Sequence, residues 1–239
     1  MDTTRTVTLK GETVAYQVRR SAEASQIRID SGMDGIRLVL PVDSTADPDA
    51  IMEEKAGWVL EKQARYARFR EERPERRFEE GEEFPILGTG RHVEVQRISE
   101  PEVTEDAIRL PESRVESTSI REVLEEVYRE EARSYFTQRA DHFCEEMGAS
   151  YDQIQIRNQK TRWGSYSQRT GTLSLNFRLL MAPPEVVDYV IVHELAHAEH
   201  PNHGRRFWRL VAGHVPRYEK LDDWLDENGH RLVFEDVPA

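Results

Sequence analysis

The chain has a single cysteine, Cys144, among its 239 residues. That excludes an internal disulfide and any zinc site built from several thiolates. It also has no run of about 18 apolar residues, the length a membrane-spanning helix requires. Its first residues, Met1-Asp2-Thr3-Thr4-Arg5, lack the apolar stretch of a secretory signal. The cytoplasm is therefore the expected compartment, and a membrane is not an expected partner. Positive charge is short as well: 33 Lys and Arg stand against 45 Asp and Glu, a formal net charge of -12. DNA and anionic membranes both attract through positive potential, so indiscriminate binding to either is disfavoured.

What remains is a polar but foldable composition, 38% hydrophobic and 33% charged, long enough for one large domain or two small ones with a real core. The acidity is uneven. Residues 1–150 hold 33 acidic and 22 basic side chains, residues 151–239 hold 12 and 11, and the stretch 151–214 is locally basic with 8 against 5. Nucleic acid is thus a permitted partner near that stretch, although the net charge does not indicate it.

Apolar periodicity predicts short strands over 5–18, 26–30 and 36–40, where Val14, Tyr16 and Val18, then Ile36, Leu38 and Leu40, alternate with other residues. A single helix is expected over 48–72, a charged connection over 70–83, and strands over 84–98 and 107–110 with a turn at Gly88 and Gly90. The strongest helical pattern of the first half covers 118–147 and stops at Gly148. Strands at 152–157 and 172–177 then flank a turn-rich piece, Trp163-Gly164-Ser165-Tyr166-Ser167. Pro183-Pro184 opens a helix expected to run to Pro201-Asn202, and two more follow over 204–213 and 216–228. No internal repeat is visible. This order predicts an α+β fold, with a β-rich N-terminal region over 1–112 that carries one long helix, and a second domain over 113–239 of helices and a short sheet.

The chemistry concentrates at His193-Glu194-Leu195-Ala196-His197. Histidines four apart on a helix share a face and can reach one ion together. Glu194 then projects beside that ion, placed to take a proton from water and pass it to a leaving amine. Zinc (Zn2+) suits such a site because it accepts three protein ligands and keeps one exchangeable position. The sequence therefore points to a zinc-dependent metallopeptidase acting on a peptide or protein substrate. A purely structural role for the two histidines would bury both imidazoles beside a carboxylate, which is costly.

A third ligand is required, and His200 and His203 compete for it, with His214 more distant. His200 lies about 10 Å along the helix axis from His193 at 1.5 Å per residue, too far for one ion. His203 follows Pro201-Asn202, where the helix should break and the chain can swing back, and is favoured; Glu219 is the fallback. The strand at 172–177 is a candidate to pair with an extended peptide. Tyr166, Tyr218, Arg162 and Arg217 are candidates for a second electrophile. Phe207 and Trp208 are expected to pack one helix on another. Arg205, Arg206 and Arg209, and the acids Asp222, Asp223, Asp226 and Glu227, read as solvated helix faces. The alternative reading is a non-catalytic, zinc-stabilised binding module, possible if a fourth protein ligand closes the site.

The succession Arg162-Trp163-Gly164-Ser165, Leu175-Asn176, the His193–His197 motif, Asn202-His203-Gly204 and Phe207-Trp208 resembles the YgjP-like metallopeptidases, zincin-type relatives of the SprT-like proteases. The helix with Trp58 and Lys62 and the stretch from Gly81 to Leu87-Gly88 resemble that family's N-terminal region. The resemblance implies zinc held by His193, His197 and His203, Glu194 as catalytic acid and base, and a compact zincin-like core beginning near residue 118. Tyr166 stands where the family usually has cysteine. Relatives of the SprT kind act on DNA-bound proteins, which by analogy brings nucleic-acid-associated substrates into view.

Overall fold

The alternating residues of the first forty positions do build sheet. The chain divides into two compact units, Met1–Arg73 and Pro74–Ala239, of which the computed structural model describes residues 3–235. In the first unit, strands β1 (Thr3–Leu9), β2 (Glu12–Ser21), β3 (Arg28–Gly32) and β4 (Gly35–Pro41) lie in the order β1-β2-β4-β3. β2 and β4 are parallel, and each outer pair is antiparallel. Val7, Val14, Tyr16, Ile36, Leu38 and Leu40 point to one side and bury against Met52, Ala56 and Val59. The helix expected over 48–72 is two helices, α1 (Pro48–Glu54) and α2 (Ala56–Glu72). The break falls at Lys55, whose φ of -98° and ψ of 15° leave the helical region. α1 starts at Asp47, whose carboxylate accepts from the N–H of Asp49.

The second unit opens with strands β5 (Glu83–Ile86), β6 (Thr89–Gln96), β7 (Glu102–Val103) and β8 (Ala107–Pro111), in the order β5-β6-β8-β7. β5 and β6 form a hairpin around Leu87-Gly88, both at positive φ. β6 and β8 are parallel, and β7 and β8 are antiparallel. This is the topology of the first unit's sheet over again, so the backbone contains a repeat that the sequence does not display.

The division expected at 112/113 falls inside this second unit. Phe84, Ile86, Val93, Ile108 and Leu110 share one apolar core with the long helix that follows, so strands and helix are a single packed body. After α3 (Glu112–Ser117), α4 (Ile120–Met147) begins with Ser119, whose hydroxyl accepts from the N–H of Glu122 at 3.2 Å. It ends at Gly148 with φ 65°. Its buried face runs from Val123 through Tyr128 and Phe136 to Phe143, and Tyr128 donates its hydroxyl to the carbonyl of Pro85 at 2.6 Å.

A third sheet holds β9 (Gln153–Arg157), β10 (Gly164–Ser167) and β11 (Thr172–Asn176) in the order β10-β11-β9. The piece read from sequence as turn-rich is thus a strand, β10, paired antiparallel to β11. Helices α5 (Pro184–Ala196), α6 (Arg205–His214) and α7 (Tyr218–Asn228) complete an α+β architecture. α5 is buried on nearly every side, from Val186 to Ala196. Arg139 of α4 grips Asp188 of α5 through two charge-assisted bonds of 2.6 and 2.8 Å. Among the described residues, no helix is long and apolar enough to cross a membrane.

Candidate metal centre

α5 carries His193 and Glu194 in its last turn and stops at Ala196, one residue before His197. Beyond it the backbone tightens, with the N–H of His197 bonded to the carbonyl of Glu194 and that of Ala198 to Leu195. The helix therefore ends five residues short of the expected Pro201. The chain then turns, with the N–H of Gly204 bonded to the carbonyl of Asn202 at 2.7 Å, and α6 starts. The turn brings His203 back over the end of α5.

Ring nitrogens of His193, His197 and His203 lie within 4.8 Å of one another. The Nε2 atoms of His193 and His203 face each other at 3.0 Å. Beneath all three rings sits Phe207, fully buried, its centroid 4.9 Å from His193 and 4.7 Å from each of the others. Trp208 stacks on both His203 and Tyr218. The expected packing role of Phe207 and Trp208 is what the structure shows, and the surface they pack is the histidine cluster itself.

Burial pushes the His193 imidazolium pKa down to about 4, helped by the neighbouring His197 and His203. His197 is lowered by the same burial, partly offset by the His200 carbonyl. Both rings are thus neutral near pH 7, the form in which imidazole binds metal. Glu194 is buried at 7% exposure. Burial pushes its carboxyl up to about 7, against the opposing pull of the Tyr166 backbone N–H and the Arg162 charge. A carboxyl so poised can both accept and return a proton near neutrality.

The three histidines and Glu194 line a cavity of about 460 Å3 together with Arg162 and β10. β10 approaches closely because Gly164 has no side chain: a Cβ there would stand 2.6 Å from Cγ of Glu194. β11, the strand expected to receive a peptide, is paired on both sides and has no edge to offer. The edge strand beside the cavity is β10.

The other histidines stand apart. His200 uses its carbonyl to accept from Nδ1 of His197 at 3.0 Å, while its ring, like His214, lines a separate cavity. Glu219 accepts from the Tyr218 hydroxyl at 3.3 Å and is not in the cluster. Among the proposed electrophiles, Arg162 and Tyr166 line the site cavity, whereas Arg217 and Tyr218 do not. The Tyr166 hydroxyl is engaged with the carbonyl of Ser150 at 2.8 Å. Sequence reasoning missed Gly164 as the residue that makes room for Glu194, which leaves no local signature, and Tyr189, which reaches His193 from four residues earlier on the same helix, a spacing that could have revealed it.

A family profile described as YgjP-like, metallopeptidase domain, matches residues 24–228. The chain belongs to the YgjP-like metallopeptidase family. Within this family the match spans parts of both compact units. No curated protein matches the chain. Among solved structures, the metallopeptidase zymogen abylysin of Pyrococcus abyssi is 25% identical, covers 41% of this chain and 99% of its own, and has a TM-score of 0.37. The metallopeptidase zymogen jannalysin of Methanocaldococcus jannaschii is 22% identical, with 39% and 95% covered and a TM-score of 0.36.

Proposed function

We propose that this chain is a zinc-dependent metallopeptidase in which His193, His197 and His203 hold the ion and Glu194 is the general base and acid. The observation that carries this reading is the convergence of three ring nitrogens within 4.8 Å on a cavity that also exposes the edge of a buried carboxylate. The donor set fits zinc. Nitrogen ligands at about 2.0–2.1 Å from a tetrahedral ion stand about 3.3 Å apart, close to the 3.0 Å between the Nε2 atoms of His193 and His203. Three imidazole ligands leave a fourth position for water or substrate.

Zinc held there supplies a Lewis acid that polarises the scissile carbonyl and makes water more acidic. Glu194 takes the water's proton on a carboxylate oxygen and delivers it to the departing amine nitrogen. The backbone N–H of Tyr166 and the charge of Arg162 steady that carboxylate. The outer edge of β10 offers an extended peptide the backbone groups that Glu194 does not use, alongside the cavity, and Arg162 of the same cavity is a donor for developing negative charge on the carbonyl oxygen. The substrate class is peptide or protein, and the compartment that fits is the cytoplasm. The alternative of a closed, structural zinc site needs a fourth protein ligand; among the described residues the cluster has three.

The test is metal content and turnover measured together on the wild type and Glu194→Gln. About one zinc per chain in both, with hydrolysis of an unfolded protein substrate by the wild type alone, is the expected outcome. Hydrolysis by Glu194→Gln at the wild-type rate, or failure of the wild type to take up zinc, would overturn the assignment.

A further inference from the structure

The outward nitrogens of the clustered histidines are held by different devices. Nδ1 of His197 lies 3.0 Å from a backbone carbonyl, that of His200. Nδ1 of His193 lies 3.5 Å from the hydroxyl oxygen of Tyr189, one turn earlier on α5. That hydroxyl donates to Oδ1 of Asp222 on α7 at 2.9 Å. Asp222 belongs to the acid stretch that reads from sequence as a solvated helix surface.

A phenol has one hydrogen to give, and an ionised carboxylate only accepts. The shorter contact, to Asp222, takes that hydrogen. The direction of that bond is set, because an ionised carboxylate has no hydrogen to give. The Tyr189 oxygen then has only lone pairs to offer His193. A hydrogen bond at this contact then has Nδ1 of His193 as its donor, the tautomer that leaves the Nε2 lone pair facing His203 and the centre of the cluster. Removing the Asp222 carboxylate frees the tyrosine hydrogen to point at Nδ1, which stabilises the opposite tautomer, with Nε2 protonated and unable to bind metal.

We propose that Asp222, acting through Tyr189, is a positioning residue that sets the tautomer and orientation of His193 for metal binding. The inference rests on the reading of the three histidines as zinc ligands. It gives a function to one member of the α7 acid stretch and separates it from its neighbour Asp223, which is also exposed on the same helix. Such outer partners of metal-bound histidines typically govern metal affinity by about 10–100-fold.

The experiment is zinc affinity by competition with a chromophoric chelator, on full-length protein whose apo fold is checked by circular dichroism. Asp222→Ala should bind zinc about 10–100-fold more weakly, while Asp223→Ala, which removes the same charge, stays at the wild-type value. Asp222→Asn keeps an oxygen that can accept from Tyr189 and should recover part of the loss. In a Tyr189→Phe background, Asp222→Ala should add nothing. The proposal is overturned if Asp222→Ala matches the wild type, if Asp223→Ala loses as much, or if the Asp222 effect persists undiminished without the tyrosine hydroxyl. A wild type that binds no zinc sinks the metal-site reading itself, whereas tight wild-type binding with an indifferent Asp222→Ala sinks only the coupling.

Discussion

Replacing Gly164 with alanine puts a methyl carbon where the Glu194 side chain already lies. An added Cβ would stand 2.6 Å from Cγ, 2.9 Å from Cδ and 2.8 Å from Oε1 of Glu194. Carbon atoms in comfortable contact are about 3.5–4.0 Å apart, so one partner must move by about 1 Å. The strand resists, because Gly164 is buried and registered against Leu175 of β11. The side chain therefore gives way, and the contact between its carboxylate and the Tyr166 N–H goes with it. Overpacking of this kind costs about 1–3 kcal/mol of stability, readable as a lowered urea midpoint. Its effect on turnover is larger, since a displacement of about 1 Å in a reacting group can cost about 10²-fold in rate. The histidines are not touched, so zinc affinity should hold.

The assay is initial-rate hydrolysis of a fluorogenic peptide at saturating zinc, with chelator competition on the same samples. Gly164→Ala should keep zinc, lose most activity, and add no further loss in a Glu194→Gln background. Full activity would refute the claim that this glycine exists to seat Glu194. Loss of zinc in the variant would show that β10 supports the histidines instead.

Two further expectations concern stability. Phe207→Ala removes a fully buried ring from beneath all three histidines; it should cost about 3–5 kcal/mol and weaken zinc binding in step, and an unchanged urea midpoint would contradict that placement. Burial holds the Tyr128 hydroxyl above the ordinary tyrosine range. The folded-state pKa is raised, so the associated stability is complete below the unfolded value of about 10 and is lost as pH rises beyond it. Tyr128→Phe should flatten that alkaline decline in urea midpoints, and an equal slope in the variant would refute the attribution.

Much of the site was legible in the chain because its information is local. The spacing of His193 and His197 is a property of one helical turn, and Glu194 is tied to them by a single peptide bond. Pro201-Asn202 signals the break that lets His203 return. The α-helix ends earlier than that signal, at Ala196, yet the return of His203 is the same. The long helix over 120–147 was equally readable, since its apolar stripe, its Ser119 start and its Gly148 stop all agree.

What periodicity misjudged were features settled by neighbours remote in sequence. β11 looked available to a peptide because its own residues make a good strand; pairing on both sides removes its edge and leaves that place to β10. The boundary expected at 112/113 failed to separate two bodies because β5 to β8 bury their apolar face against α4. The two sheets of identical topology share no visible sequence repeat, since many apolar alternations satisfy the same pleat.

The amino-acid order by itself determined the α+β class, the helix that presents His193, Glu194 and His197, and the turn that returns His203. Only the tertiary structure decided that Gly164 admits Glu194, that Phe207 floors the cluster, and that Asp222 meets Tyr189, 33 residues away, beside His193. The reason is physical: helix and strand periods relate residues a few positions apart, whereas these contacts arise from the packing of separate elements, which no local period encodes.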